Sequence, residues 1–136
     1  MWTDAKENKF IEESGMMNVM FVINNTLLTP PISDSILDGV TRDSLLTLAK
    51  DLGYDVQERQ VSIEELEQAF RTNTITEAFG AGTAAVVAPI QTIHIKGIDF
   101  QLAAYNNESI LNKLKSKLER IRTGVEEDIY NWNYTL

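Results

Sequence analysis

The chain has 136 residues, 43% of them hydrophobic, and no cysteine. This length predicts a single domain, and the lack of cysteine excludes disulfides and thiolate metal sites, which favours a cytoplasmic protein. The net charge of −8 disfavours nucleic acid and anionic membranes as partners, and the apolar stretches are far shorter than the roughly 20 residues that span a bilayer.

A strand and a hairpin are predicted near the start of the chain. Glu12 and Glu13 lie where a strand begins, so one of the two should face inward and need a partner. Residues 17–23 form a nearly continuous apolar run, residues 24–25 (Asn-Asn) are a turn signal, and residues 26–29 complete the hairpin.

Helices and strands then alternate. Apolar residues between 41 and 52 follow helical spacing, with Gly53 as a C-terminal cap. Residues 54–61 alternate as in a strand. Residues 62–65 (SIEE) have the form of a capping box, which predicts a helix that continues to about Arg71.

The second half of the chain predicts more strands and a last helix. Residues 76–79 are expected to form a short strand, residues 80–82 (GAG) a tight loop and residues 83–89 a buried strand. Residues 91–96 form a hairpin arm that turns at Gly97. There His94 is expected to be a surface residue without an acidic or metal partner.

Residues 109–122 predict an amphipathic helix that Gly124 closes. Its apolar face consists of Ile110, Leu111, Leu114, Leu118 and Ile121.

Two glycine-containing segments have the chemistry of an anion site. In residues 38–42 (DGVTR), Gly39 precedes a helix whose first N–H groups lack internal partners. In residues 80–83 (GAGT), glycines allow close backbone approach and Thr83 adds a hydroxyl. The alternative is a simple turn and a hairpin connection. Asp38 would repel a phosphate unless its side chain caps the helix.

Four segments in order resemble one enzyme family. Residues 13–19 (ESGMMNV) resemble the Glu-x-Gly-Thr-Met-Asn segment of branched-chain amino-acid aminotransferases. Residues 28–32 (LTPPI) and 36–44 (ILDGVTRDS) resemble its Thr-Pro-Pro and Leu-Pro-Gly-Val-Thr-Arg-Asp-Ser signatures. Residues 77–89 (EAFGAGTAAVVAP) resemble its Glu-x-Phe-Gly-x-Gly-Thr-Ala-Ala block. The resemblance covers nearly the whole chain.

The resemblance implies an α+β, or mixed α/β, fold of the fold type IV pyridoxal phosphate enzymes, with a β pseudobarrel flanked by helices. Residues 1–136 would form one domain, an incomplete C-terminal part of the cofactor-binding large domain. The complete enzyme would transfer the amino group of leucine, isoleucine or valine to 2-oxoglutarate. Its partners would be branched-chain amino acids and 2-oxo acids.

The same resemblance implies residue roles. Glu13 would pair with the pyridine nitrogen of the cofactor, and the amides of Val40 and Thr41 would hold the phosphate together with Thr83. The implied cofactor-binding set is Glu13, Met16, Gly39, Val40, Thr41, Gly82 and Thr83. The implied substrate-binding set is Thr83, Ala84 and Ala85. Met16 replaces the family's threonine, and Asp38 replaces its proline.

The lysine that holds the cofactor covalently has no counterpart here. The lysines at 6, 9, 50, 96, 113, 115 and 117 lie outside the family's lysine context, so no catalytic residue is assigned. The chain alone is expected to be inactive, as a truncated chain or one part of a split gene. The missing N-terminal portion would be its partner, and exposed sheet edges would favour a homo-oligomer.

Two alternatives stay open. One is a related fold type IV enzyme, a D-amino-acid aminotransferase or an aminodeoxychorismate lyase, although the Thr-Pro-Pro and Gly-Thr-Ala-Ala blocks favour the branched-chain group. The other is a non-catalytic binding or assembly domain on the same scaffold, consistent with Met16 and Asp38.

Overall fold

A computed structural model describes residues 2–3, 9–14, 17–32, 39–82 and 86–130. The elements in these ranges, in chain order, are β1 (Trp2–Thr3), β2 (Phe10–Ser14), β3 (Met17–Ile23), β4 (Thr26–Thr29), α1 (Val40–Asp51), β5 (Asp55–Glu58), β6 (Val61–Ser62), α2 (Ile63–Arg71), β7 (Ile75–Gly82), β8 (Val86–Pro89), β9 (Thr92–Ile95), β10 (Ile98–Gln101) and α3 (Ile110–Arg122).

The apolar strand β3 is the centre of the larger sheet. One edge of β3 pairs antiparallel with β7, and the other pairs with β2 near its start and with β4 near its end. The sheet continues through a parallel pairing of β4 with β5 and an antiparallel pairing of β7 with β8, whereas β9 and β10 form a separate hairpin. The expected mixed α+β class is therefore confirmed.

Both faces of β3 are covered, which explains its continuous apolar run. Met20 and Val22 belong to the core that includes α1 and α3. Val19, Phe21 and Ile23 belong to a second core, formed with α2 and the β9–β10 hairpin. The alternation of a strand therefore divides these residues between two cores.

The two predicted hairpin turns are confirmed. Asn24 and Asn25 have φ angles of 52° and 59°, the left-handed conformation that a two-residue hairpin turn requires. Lys96 and Gly97, with φ angles of 50° and 80°, make the corresponding turn between β9 and β10.

The three predicted helices are also confirmed. Helix α1 ends at Asp51 and is followed by Gly53 at φ 89°. Helix α2 begins at the predicted cap, where the Glu65 N–H donates to Ser62 Oγ at 3.0 Å. All five predicted apolar residues of α3 are buried. None of the helices in the described ranges is long and apolar enough to cross a membrane.

Two strand predictions were wrong in extent. The segment 54–61 forms two strands, because β5 pairs with β4 whereas β6 pairs with β2. The predicted loop at 80–82 belongs to β7, where Ala81 pairs with Asn18 of β3 and with Val87 of β8. Gly80 is paired on both edges, with Val19 and Ala88, and Gly82 is paired with Val86 of β8. Residues 83–85 lie outside the described residues.

The segment after α3 returns to the end of α1. Tyr130 packs against the core that contains residues of α1 and α3, and its hydroxyl donates a hydrogen bond to Asp51. This hydrogen bond is the main cause that raises the pKa of Tyr130 to about 12, because ionisation would remove the donated proton, and repulsion by the Asp51 charge adds to the increase.

Candidate functional site

Asn18 of β3 is the point at which the predicted site segments meet. Its backbone lies opposite Glu13 of β2 on one side and opposite Ala81 of β7 on the other. The Asn18 side chain is buried, and along β3 it alternates onto the face of Met20, towards α1. The strand pairings thus bring together the backbones of two resemblance segments, 13–19 and 77–89.

Gly39 brings the start of α1 against Asn18. It is the N-cap of α1, with an extended backbone at φ −77° and ψ 133°. A Cβ atom added to Gly39 would lie 2.4 Å from Asn18 Oδ1. Glycine is therefore required here by close approach to a neighbouring side chain, and not by a left-handed backbone.

The first turn of α1 has the properties of an anion site. Gly39 has no side chain that could accept hydrogen bonds from the first N–H groups of the helix. Val40 is 82% exposed, whereas Thr41 is buried. The backbone amides and the positive end of the helix dipole favour a bound anion. Gly39, Val40 and Thr41 thus lie at the start of α1, and their binding of an anion stays a prediction.

The other two helices obtain capping oxygens from the protein itself. Ser62 caps α2. At α3, Ser109 is the N-cap, but the N–H groups of Ile110 and Leu111 donate to the two carboxylate oxygens of Glu77 at 2.8 Å each. Among the N-caps of the three helices in the described ranges, only that of α1 is glycine.

Arg42 is the most deeply placed charge next to this turn. Its side chain is 1% exposed, and Nη2 donates to Glu58 Oε1 at 2.8 Å and to the Pro30 carbonyl oxygen at 3.1 Å. A weaker contact joins Nη1 to Asp43 Oδ1 at 3.4 Å. The guanidinium therefore ties the first turn of α1 to the ends of β4 and β5.

The second glycine segment has a packing role in the described structure. Added Cβ atoms at Gly80 and Gly82 would come within 3.2 and 3.1 Å of the Met17 side chain. Gly82 is thus in contact with Met17, at the end of β7. Its predicted contact with a cofactor stays a prediction.

Several predicted residues lie outside the described part of the structure. Met16, Thr83, Ala84 and Ala85 belong to this group, and so do the side chains of Glu12 and Glu13. Their roles stay predictions, as does the question of which glutamate faces inward.

No role was predicted from the sequence for Asn18, Arg42 or Glu77. Arg42 and Glu77 are charged residues, which are rarely buried, so their residue type alone predicts exposure. One pattern in the sequence indicates that Glu77 is buried. Along β7 it lies on the same face as the core residues Phe79 and Ala81. A buried acid on an apolar strand face needs donors.

The prediction that His94 lacks an acidic partner was wrong. Its Nδ1 lies 2.6 Å from Asp99 Oδ1, because the β9–β10 register places the two residues opposite each other. Both side chains are exposed. Among the described residues, no cluster of three or more histidine or acidic side chains could hold a metal ion.

Tyr105 strengthens the sheet beside Glu77. Its hydroxyl lies within hydrogen-bonding distance of the carbonyl oxygens of Ala78, at 2.6 Å, and Ile90, at 2.7 Å. Burial raises the pKa of Tyr105, and the nearby Glu77 charge adds to the increase. The neutral hydroxyl therefore acts as a donor that links β7 to the segment after β8.

The sequence is similar to a protein family and to curated proteins. The family model "Amino-transferase class IV" matches residues 5–93. A Staphylococcus epidermidis protein named "Probable branched-chain-amino-acid aminotransferase" is 46% identical over 134 residues, which are 97% of this chain and 37% of that protein. This chain thus spans about 37% of the length of such curated relatives.

Two solved structures are similar to the chain. The branched-chain aminotransferase from Thermoproteus uzoniensis with norvaline has a TM-score of 0.71 and 34% identity, over 92% of this chain and 37% of that one. The branched-chain amino acid aminotransferase from Escherichia coli has a TM-score of 0.74 and 31% identity, over 93% of this chain and 39% of that one.

Proposed function

The chain belongs to the class IV aminotransferases, and from this premise we propose that it forms the cofactor-binding part of a branched-chain amino-acid aminotransferase that uses pyridoxal phosphate. The relatives compared above carry that name. Branched-chain amino acids and 2-oxo acids would be the substrates of the complete enzyme, in the cytoplasm.

The observation that carries the proposal is the convergence at Asn18. The backbone of Glu13 lies across from Asn18 on one side and that of Ala81 on the other, while Gly39 packs on its side chain. A cofactor with an anionic phosphate and a basic ring nitrogen needs an amide cradle and a carboxylate in one place. These segments carry both kinds of group.

The residues at the start of α1 fit a phosphate. The cap position has no side chain, the first residue is exposed, and the helix dipole favours an anion. The amides of Val40 and Thr41 would donate to the phosphate oxygens, and Gly82 and Thr83 would approach from the end of β7. In a molecule with a net charge of −8, such local donors are needed to hold a dianion.

Pyridoxal phosphate, when bound, supplies an electron sink for the bonding electrons that are released at the substrate α-carbon. Glu13 would keep a proton on the ring nitrogen, which strengthens that sink. The backbone amides from Thr83 to Ala85 would bind the substrate carboxylate, and the small side chains there would leave room for a branched aliphatic group. Met16 would pack near the ring without a hydroxyl to donate.

None of the lysines in this chain would transfer the proton in this reaction. We therefore expect the purified chain alone not to convert leucine and 2-oxoglutarate at an enzyme-like rate. Addition of an amino-terminal portion that carries the lysine should restore this reaction.

The first test is calorimetric titration of the chain with pyridoxal phosphate and with pyridoxal. Charge-assisted hydrogen bonds to the phosphate should make pyridoxal phosphate bind at least about tenfold more tightly. Equal affinities would contradict the phosphate site.

The second test is transamination after mixing with a lysine-bearing amino-terminal fragment, with leucine and D-alanine as alternative amino donors. Activity with D-alanine alone would favour a D-amino-acid aminotransferase, whereas neither binding nor activity would favour a non-catalytic domain.

A further inference from the structure

Arg42 is buried at a place where a cation is costly. It is the largest fully buried side chain of the described residues. Desolvation of a guanidinium is unfavourable, and a positive charge in the first turn of a helix also opposes the helix dipole. An apolar side chain of similar size would avoid both costs. The burial of this charge therefore needs an explanation beyond core packing.

The partners of Arg42 lie on two strands that end side by side. Thr29 of β4 is in parallel register with Glu58 of β5, and Pro30 follows directly after Thr29. Arg42 Nη2 donates both to the Pro30 carbonyl oxygen and to Glu58 Oε1. One nitrogen thus fixes the first turn of α1 relative to both strands.

Asn18 of β3 also lies against this turn. A Cβ built on Gly39 would lie 3.6 Å from Arg42 Cβ and 2.4 Å from Asn18 Oδ1. Asn18 of β3 therefore limits how closely the start of α1 can approach the sheet, whereas the proximity of Gly39 to Arg42 Cβ is the spacing expected within one helical turn. Arg42 Nε has no hydrogen-bond partner within the described residues, and the shortest contacts of the guanidinium are those of Nη2.

We infer that Arg42, held by Glu58 and the Pro30 carbonyl, is a positioning residue that orients the first amides of α1 towards a bound phosphate. This inference rests on the proposed function, because the phosphate that these amides would bind is that of the proposed cofactor. Arg42 itself does not contact the ligand. It acts through the helix turn to which it belongs.

The variants are chosen at Glu58, which is 43% exposed in its side chain, so that the fold is preserved. Glu58→Ala removes the acceptor of Arg42, and Glu58→Gln keeps an acceptor oxygen. Asp55→Ala is the matched control, because Asp55 is an exposed carboxylate of the same strand. Both alanine variants remove one negative charge.

Amide hydrogen exchange provides a readout that needs no ligand. The Asp43 N–H donates to the Gly39 carbonyl at 3.1 Å, and the Leu52 N–H donates to the Leu48 carbonyl at 2.9 Å at the other end of α1. In Glu58→Ala we expect Asp43 exchange to accelerate about five- to tenfold, with Leu52 unchanged. Glu58→Gln and Asp55→Ala should resemble the original chain.

Binding supplies the second readout, the ratio of the dissociation constants for pyridoxal and pyridoxal phosphate. In Glu58→Ala the first amides of α1 should no longer be held towards the phosphate, and the ratio should fall about five- to tenfold. In Asp55→Ala the ratio should stay unchanged. If the carboxylates acted only through charge, both alanine variants would bind the phosphate more tightly.

The outcomes separate this inference from the proposed function. Unchanged Asp43 exchange in Glu58→Ala, or equal acceleration at both ends of α1, would overturn the inference. So would a phosphate preference that is present in the original chain and unchanged in Glu58→Ala. An original chain that shows no phosphate preference would contradict the proposed function, while the exchange data would still decide whether Arg42 and Glu58 orient the helix start.

Discussion

Asn18 and Gly39 lie against each other where β3 meets the first turn of α1. The contact is too close for any side chain at position 39, since an added Cβ would be 2.4 Å from Asn18 Oδ1. The Asn18 side chain is buried and has interactions of its own. Displacement of the Asn18 side chain would therefore break these interactions at a place where water cannot replace them.

Substitution of Gly39 tests this contact. Gly39→Ala should lower the free energy of unfolding by about 1–3 kcal/mol, because the new methyl group overpacks a buried site. It should also weaken the binding of pyridoxal phosphate more than that of pyridoxal. Urea denaturation and calorimetry measure the two effects.

A double-mutant cycle provides the control. Asn18→Ala removes the atom that the methyl group would meet, so the Gly39→Ala penalty should become smaller in that background by about 1 kcal/mol or more. Equal penalties in both backgrounds would mean that Asn18 does not exclude a side chain at position 39.

At the scale of elements, the helices differ in how they begin. Helix α2 is capped by its own Ser62, which is a local interaction that the sequence predicts. Helix α3 is capped by Glu77, 33 residues earlier on β7, through two N–H groups at 2.8 Å. This second cap also fixes the position of α3 on the sheet.

Removal of the Glu77 carboxylate should therefore affect stability strongly. In Glu77→Ala two buried N–H groups lose their acceptor, and we expect the free energy of unfolding to fall by about 2–3 kcal/mol. Glu77→Gln keeps one acceptor oxygen and should lose less. Urea denaturation measures both.

Glu119→Ala is the control for this comparison, because it removes the same charge from an exposed position of α3. It should change stability by about 0.5 kcal/mol or less. A Glu77→Ala variant as stable as this control would show that the cap does not hold α3 on the sheet.

At the scale of the whole molecule, the sheet has open edges. Among the described strands, β8 pairs only with β7, so its outer edge faces no strand. Such an edge can pair with a second chain through its backbone groups. The curated relatives are much longer than this chain, and the edge is one place where further residues of a complete enzyme could pair.

We therefore predict that the isolated chain associates as its concentration rises. Light scattering should give a mass above that of one chain. Ala88→Lys places a charge on the edge strand β8 and should reduce the association. Gln68→Lys, which adds the same charge at an exposed position of α2, should not. A mass that stays monomeric at high concentration would contradict this prediction.

Local patterns in the sequence determined most of the elements. The helical spacing before Gly53, the capping box at 62–65 and the Asn24-Asn25 turn each depend on residues close together in the chain. The family resemblance also came from short ordered segments, and the match to the aminotransferase class IV family confirms it.

Only the tertiary structure decided how these pieces meet. It extended β7 through Gly82, divided residues 54–61 between two strand partners, and buried Arg42 and Glu77 beside acceptors and donors far away in the sequence. The physical reason is that strand pairing and the burial of charge depend on non-local neighbours. A glycine run is compatible with a loop or a strand until two adjacent strands supply its hydrogen bonds, and a charged residue can be buried only where the fold brings it an opposite charge or a polar group.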